Sequence, residues 1–145
     1  MAKYTLSRSN VALSTSDDTL TVISASNRRF RLVEVIVGGM GTASAANELR
    51  VNRSTGGTTG GGALTPVKEI ADAPTQAFTN FTTWSAQPSL SGDPLLRLPV
   101  NANGGVFRWL ARADQNFECR NGEQLSFRSA VGTSNVSLTV VVDEL

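Results

Sequence analysis

A chain that does covalent or acid–base chemistry needs nucleophiles, bases or metal ligands at workable spacing, and here that set is narrow. There is no histidine and one cysteine, Cys119, so no Cys–His or Ser–His pair and no internal disulfide can form within the chain. Cys119 lies in Phe117-Glu118-Cys119-Arg120, which reads as strand, and a buried, inert thiol is expected there. Metal ligation would fall to carboxylates. The adjacent acidic pairs, Asp17-Asp18 and Asp143-Glu144, lie in no calcium-loop pattern, and turn formation accounts for the first. The glycine cluster that follows Thr55 runs into Ala63-Leu64-Thr65-Pro66 rather than into Gly-Lys-Ser/Thr, so it is no phosphate loop. Gly38-Gly39-Met40-Gly41 likewise lacks dinucleotide-binding spacing. A two-carboxylate hydrolase needs acids facing each other across a cleft, and nothing in the sequence pairs any of the twelve acids. The expectation is a chain without catalytic residues, metal or cofactor that works by binding or assembly.

The residues suited to binding are aromatic and arginine side chains. Trp84, with Phe78 and Phe81 just before it, is the best candidate contact surface, because buried aromatic anchors dominate interface energetics. Trp109 alternates with Phe107 and reads as core. Tyr4 is the only tyrosine, and with Lys3 and Arg8 it marks residues 1–10 as a second contact candidate. Eleven of the thirteen basic residues are Arg, which is favoured at interfaces where Lys is depleted. The formal net charge of +1, with acids and bases interspersed, argues against a nucleic-acid partner. No apolar stretch has the length of a membrane span, and the first residues lack a secretory signal, so synthesis in a cytoplasm and no membrane partner are expected. Sequons at Asn52, Asn80 and Asn135 are what a chain rich in Ser and Thr produces by chance.

The elements that must position these side chains are strands. No window keeps a helical apolar stripe, whereas short β-branched runs bounded by Gly, Asn, Asp and Pro recur. Phe30-Arg31-Leu32-Val33-Glu34-Val35-Ile36-Val37 carries apolar residues at nearly every position, which predicts a central strand covered on both faces. Leu20 and Val22 oppose Thr19 and Thr21; Leu49 and Val51 oppose Glu48, Arg50 and Asn52; Leu125 and Phe127 oppose Gln124, Ser126 and Arg128. Val136, Leu138, Val140 and Val142 share one face. Residues 95–98, between Pro94 and Pro99, suit a short or edge strand, and residues 106–110 add another. Asn103-Gly104-Gly105 and Asn121-Gly122 predict hairpin turns. About eight strands at this spacing indicate one antiparallel β-sandwich over residues 11–145, preceded by an arm or edge strand over residues 1–10. A long glycine-rich loop, about residues 54–81, is expected to run as a mobile excursion over the surface.

The stretch from Arg29 to Gly39, then Gly41-Thr42, then Asn47-Glu48-Leu49-Arg50-Val51-Asn52-Arg53-Ser54-Thr55, with the later Val106-Phe107-Arg108-Trp109, resembles small structural proteins of tailed-bacteriophage virions. Some of these are capsid decoration, or cement, proteins. The resemblance implies a jelly-roll-like sandwich, a homotrimer, the major capsid protein as partner, and location on the virion surface after synthesis in the host bacterium. On this reading residues 1–10 and the long loop bridge shell subunits, and deleting residues 1–10 weakens assembly while the domain stays folded. The competing expectation is a tail, fibre or baseplate module that recognises a host glycan or another virion protein, with Trp84 exposed as a platform.

Overall fold

Alternation of apolar and polar side chains with period two becomes, in three dimensions, two antiparallel sheets that share one core. The computed structural model describes residues 2–115 and 117–145. Their strands are β1 (Ala2–Ala12), β2 (Leu20–Ile23), β3 (Arg29–Met40), β4 (Ala46–Thr55), β5 (Thr58–Gly61), β6 (Val67–Lys68) and β7 (Thr79–Phe81). They continue as β8 (Thr83–Ala86), β9 (Ser89–Asn101), β10 (Asn103–Leu110), β11 (Glu118–Arg120), β12 (Gln124–Val131) and β13 (Asn135–Glu144). No helix occurs among the described residues.

The first half of the chain pairs with the second half as an antiparallel ribbon. β1 lies against β13, β2 against β12, β3 against β10, and β4 against β9. The ribbon then closes on itself, because β13 also pairs β3 and β12 also pairs β4. One sheet therefore reads β10-β3-β13-β1-β6, with β11 continuing beside β3, and the other reads β7-β2-β12-β4-β9. Between them lie Tyr4, Leu6, Phe30, Leu32, Leu49, Leu125, Phe127 and Leu138, each no more than 1% exposed. The all-β sandwich expected from the alternation is the observed class.

Several local expectations change. The apolar run of β3 is not covered on both faces. Its pairing with β13 steps from Val141↔Glu34 to Val142↔Leu32, so Val33 is an extra residue and the alternation changes phase there. Phe30 and Leu32 before the bulge and Val35 and Val37 after it all reach the core, while Ile36 stays partly exposed on the outer face. A run apolar at both parities can thus record a bulge rather than two covered faces.

The strand around residues 95–98 is the middle of the longer β9, at a sheet edge as its prolines require. Asn103-Gly104-Gly105 and Asn121-Gly122 do turn the chain, with Gly104, Asn121 and Gly122 at positive φ, but each turn carries it from one sheet to the other. Positive φ fixes a tight reversal and not whether the flanking strands pair. Gly39 is required by the first crossing, since a Cβ there would lie 2.1 Å from the Asn101 carbonyl oxygen.

Of the segment expected as an arm or edge strand, residues 2–10 form the edge strand and Met1 lies outside the described residues. β1 follows β13 from Ala2↔Glu144 to Ala12↔Asn135, with β6 on its other side only at Tyr4 and Thr5. Of the residues that mark it as an arm, Lys3 is exposed, Arg8 is partly exposed and Tyr4 is buried. Nor does the segment at 54–81 stand off as a free excursion. β5 pairs β8, β6 pairs β1, and β7 pairs β2. The Asn80 side chain clamps Leu64 from both sides, accepting from its N–H at 2.7 Å and donating to its carbonyl at 3.0 Å. The Glu144 carboxylate accepts from the N–H groups of Ala77 and Phe78. The accessible area of 7151 Å² agrees with about 7,150 Å² for a compact monomer of 15.3 kDa, so no segment among the described residues stands far off the body.

Candidate functional site

The six contact candidates do not form one surface. Tyr4 is fully buried and Phe78 is 2% exposed; their rings meet edge to face at 5.5 Å inside the core. The Tyr4 hydroxyl donates to the Pro74 carbonyl at 2.7 Å. Both residues are therefore corrected from contact candidates to packing residues, because the parity of β1 turns Tyr4 inward and Phe78, just before β7, packs against it. Burial, with the Glu144 carboxylate nearby, raises the Tyr4 pKa above its ordinary value, against a smaller lowering influence from Arg28. Lys3 is exposed and faces Asp143 across β1 and β13. Arg8 has the parity of Tyr4 and Leu6 but lies beyond them, where its guanidinium donates to the Thr19 carbonyl at 2.7 Å. Phe81 and Trp84 are partly exposed and meet edge to face at 5.0 Å.

Phe81 and Trp84 are held by the small β5–β8 sheet, and the glycines in and just before β5 explain how. A Cβ on Gly60 would lie 2.5 Å from the Phe81 ring, and one on Gly57 would lie 2.7 Å from the Trp84 ring. Gly57 also has φ +97°, which side chains rarely adopt. The cluster that reads in sequence as a flexible loop is a backbone surface cleared of side chains so that two aromatic rings can lie against it.

Beneath this flap the outward side chains of β2 and β12 are not solvated. Thr21 faces Ser126 across the two strands, and both hydroxyls donate to one Asp18 carboxylate oxygen. The Arg128 guanidinium pairs the other oxygen at 2.7 Å and also donates to the Pro88 carbonyl at 3.0 Å. Trp84 Nε1 donates to the Thr21 hydroxyl at 2.9 Å, which fixes the indole over the cluster. The Asp18 side chain has no exposure and that of Arg128 has 11%, so this is a buried ion pair with its remaining valences filled. Asp18 is thus not merely a turn residue.

At the open end of the sandwich, the connection from β1 to β2 and the start of β8 enclose a cleft of about 310 Å³. Arg8, Asp17, Thr19, Thr83, Trp84 and Gln87 are among its lining residues. The Thr19 hydroxyl is buried and has no hydrogen-bond partner. Burial lowers the Arg8 pKa from its ordinary value. Elsewhere Cys119 is wholly buried, and burial, partly offset by Arg53, pushes its thiol up to about 12, which leaves it protonated and unreactive at neutral pH.

The outer face of the larger sheet is different in kind. Val106 (72% exposed) and Leu110 (54%) stand on the margin strand β10, flanking the Arg108–Glu34 ion pair. Ile36, Thr139 and Ser7 continue the row from Arg108 across the sheet. Beyond Arg108 that row is uncharged, with one β-branched aliphatic and two hydroxyl side chains. Comparison with known protein families, with characterised proteins and with solved structures finds no match for this chain.

Proposed function

We propose that the chain is a virion structural protein that binds the outside of a phage capsid as a homotrimer and stabilises the shell by bridging its major capsid subunits. The observation that carries this reading is the strand order. A ribbon that pairs β1 with β13, β2 with β12, β3 with β10 and β4 with β9, wrapped into facing sheets, is the interleaving expected of a jelly roll. That architecture recurs in viral shell domains. The sequence stretches that resemble decoration proteins fall on β3, β4 and β10, three strands of this ribbon.

A cement protein has to present a rigid face to a joint between subunits, and the outer face of the larger sheet supports that role. Its exposed Val106 and Leu110 supply apolar contact, and the neighbouring Arg108–Glu34 pair supplies orientation. With residues 2–10 built into the sheet, this reading takes the bridging contacts from this face and from exposed side chains such as Lys3 rather than from a flexible arm.

The test is addition of the purified chain to capsids that lack it, followed by sedimentation. Saturable binding in fixed ratio to shell subunits is expected, and Val106→Glu with Leu110→Glu should abolish it while the melting temperature stays within a few degrees. Absence of co-sedimentation by the unaltered chain overturns the proposal.

A further inference from the structure

We propose that the cleft between the β1–β2 connection and the start of β8 binds a saccharide unit bearing a carboxylate, with Arg8 pairing the carboxylate and Trp84 flanking the sugar ring. This goes beyond the shell reading and does not depend on it, since the cleft lies at the end of the sandwich and not on the β10 face.

Three observations converge on the cleft. First, Arg8 is a partly buried guanidinium with no carboxylate within ion-pair distance among the described residues, whereas Arg31, Arg108 and Arg128 are each paired. One of its nitrogens is spent on the Thr19 carbonyl, which aims the rest of the fork. A partly desolvated guanidinium favours a planar carboxylate that it can meet with two donors. Second, the Thr19 hydroxyl, on a residue that lines the cleft, is buried without a partner, an arrangement that is unfavourable to leave unmet. Third, the Trp84 indole is locked by its bond to the Thr21 hydroxyl, so its ring presents a fixed apolar wall.

Arg8 and Trp84 both line this one cleft, the first held on the Thr19 carbonyl and the second on the Thr21 hydroxyl. The cleft volume of about 310 Å³ is at the lower end of the usual range of about 300–1,000 Å³ for ligand sites, enough for one or two sugar units.

Composition of the walls narrows the chemistry. Asp17, Thr83 and Gln87 supply acceptors and donors of the kind that hydroxyl groups use. The Gln87 carbonyl oxygen already accepts from the Asp18 N–H, which leaves its amide N–H₂ group for a ligand. Asp17 repels a compact polyanion such as phosphate but accepts from sugar hydroxyls. A ligand with one carboxylate at the Arg8 end and hydroxyls at the other meets both requirements.

The test uses the full chain, ¹⁵N-labelled, titrated separately with glucuronate, N-acetylneuraminate, glucose, acetate and inorganic phosphate. Saturable displacement of the Trp84 indole N–H signal by at least one of the two acidic sugars, at roughly millimolar concentration, is expected, with the Trp109 signal unmoved. Glucose, acetate and phosphate should each bind at least about ten-fold more weakly than that sugar. Arg8→Gln, checked for an unchanged melting temperature, should reduce the acidic sugar to the level of glucose. Arg8→Lys, which keeps the charge but loses the fork, should fall between. The proposal is overturned by no saturable displacement with either acidic sugar, by equal binding of acetate or phosphate, or by unaltered binding in Arg8→Gln.

Discussion

Deleting residues 1–8 should unfold the protein rather than trim an arm from it. Tyr4 is fully buried and Leu6 is 1% exposed, both packed against β13 and the opposite sheet. Truncating a buried aromatic costs about 3–5 kcal/mol and a buried leucine about 2–5 kcal/mol, so the pair accounts for about 5–10 kcal/mol. Domains of this size are stable by only about 5–15 kcal/mol in all. Deletion also strips β13 of its partner from Glu144 to Leu138 and leaves an open strand edge. The assay is thermal or guanidinium unfolding followed by circular dichroism. The truncated chain should show no cooperative transition or should aggregate. The graded control is Leu6→Ala, expected to cost about 3 kcal/mol and lower the melting temperature by about 6–12 °C. A truncated chain that melts cooperatively within a few degrees of the full one would refute the placement of β1 in the core.

Three further outcomes follow from the same contacts. Arg128→Met leaves the Asp18 carboxylate buried without its cation and should cost about 3–5 kcal/mol in denaturant unfolding, whereas Arg128→Met with Asp18→Asn should recover part of that loss. Gly60→Val forces Phe81 and its partner Trp84 off β5, so tryptophan emission should shift to the red and stability should fall by about 1–3 kcal/mol; unchanged emission contradicts the packing of the flap. Cys119 should resist thiol reagents until the chain unfolds. Its pKa is raised from 9.0 to about 12 in the folded state, so above pH 9 the unfolded chain releases a proton that the native one keeps. Stability is therefore unaffected by this group well below pH 9 and falls progressively as pH rises from 9 towards 12. Cys119→Ser should remove the slope between pH 9 and 10, before Tyr4 begins to contribute in the same direction.

The alternation of Leu20 with Val22, Leu125 with Phe127 and Val136 with Val142 was enough to read an all-β sandwich, since a half-buried strand writes its inner face directly into the sequence. Three things were not legible. The bulge at Val33 shows in sequence only as excess apolarity, which a doubly covered strand would share. Asn103-Gly104 and Asn121-Gly122 specify reversals, but whether a reversal stays in its sheet depends on the partners the next strand finds elsewhere. Tyr4, Lys3 and Arg8 look like an arm because a short amphipathic edge strand and a solvated tail differ only in whether another strand lies beside them. For the candidate site, Trp84 was singled out from its type and its aromatic neighbours, and it does line the cleft. Asp18, Thr19, Thr21, Ser126 and Arg128 were missed because polar residues on alternate positions are ordinarily solvated, and here the β5–β8 flap covers them. The glycines of β5 were the available signal, because their lack of side chains is what admits the flap's aromatic rings.

The assignment to a virion shell is most directly tested by quantitative mass spectrometry of purified particles from the source of the sequence, counting copies of this chain against the major capsid protein. A ratio near parity is the predicted result. Complete absence from the particles contradicts the account, and a few copies per particle contradicts the shell position in favour of the tail or a vertex.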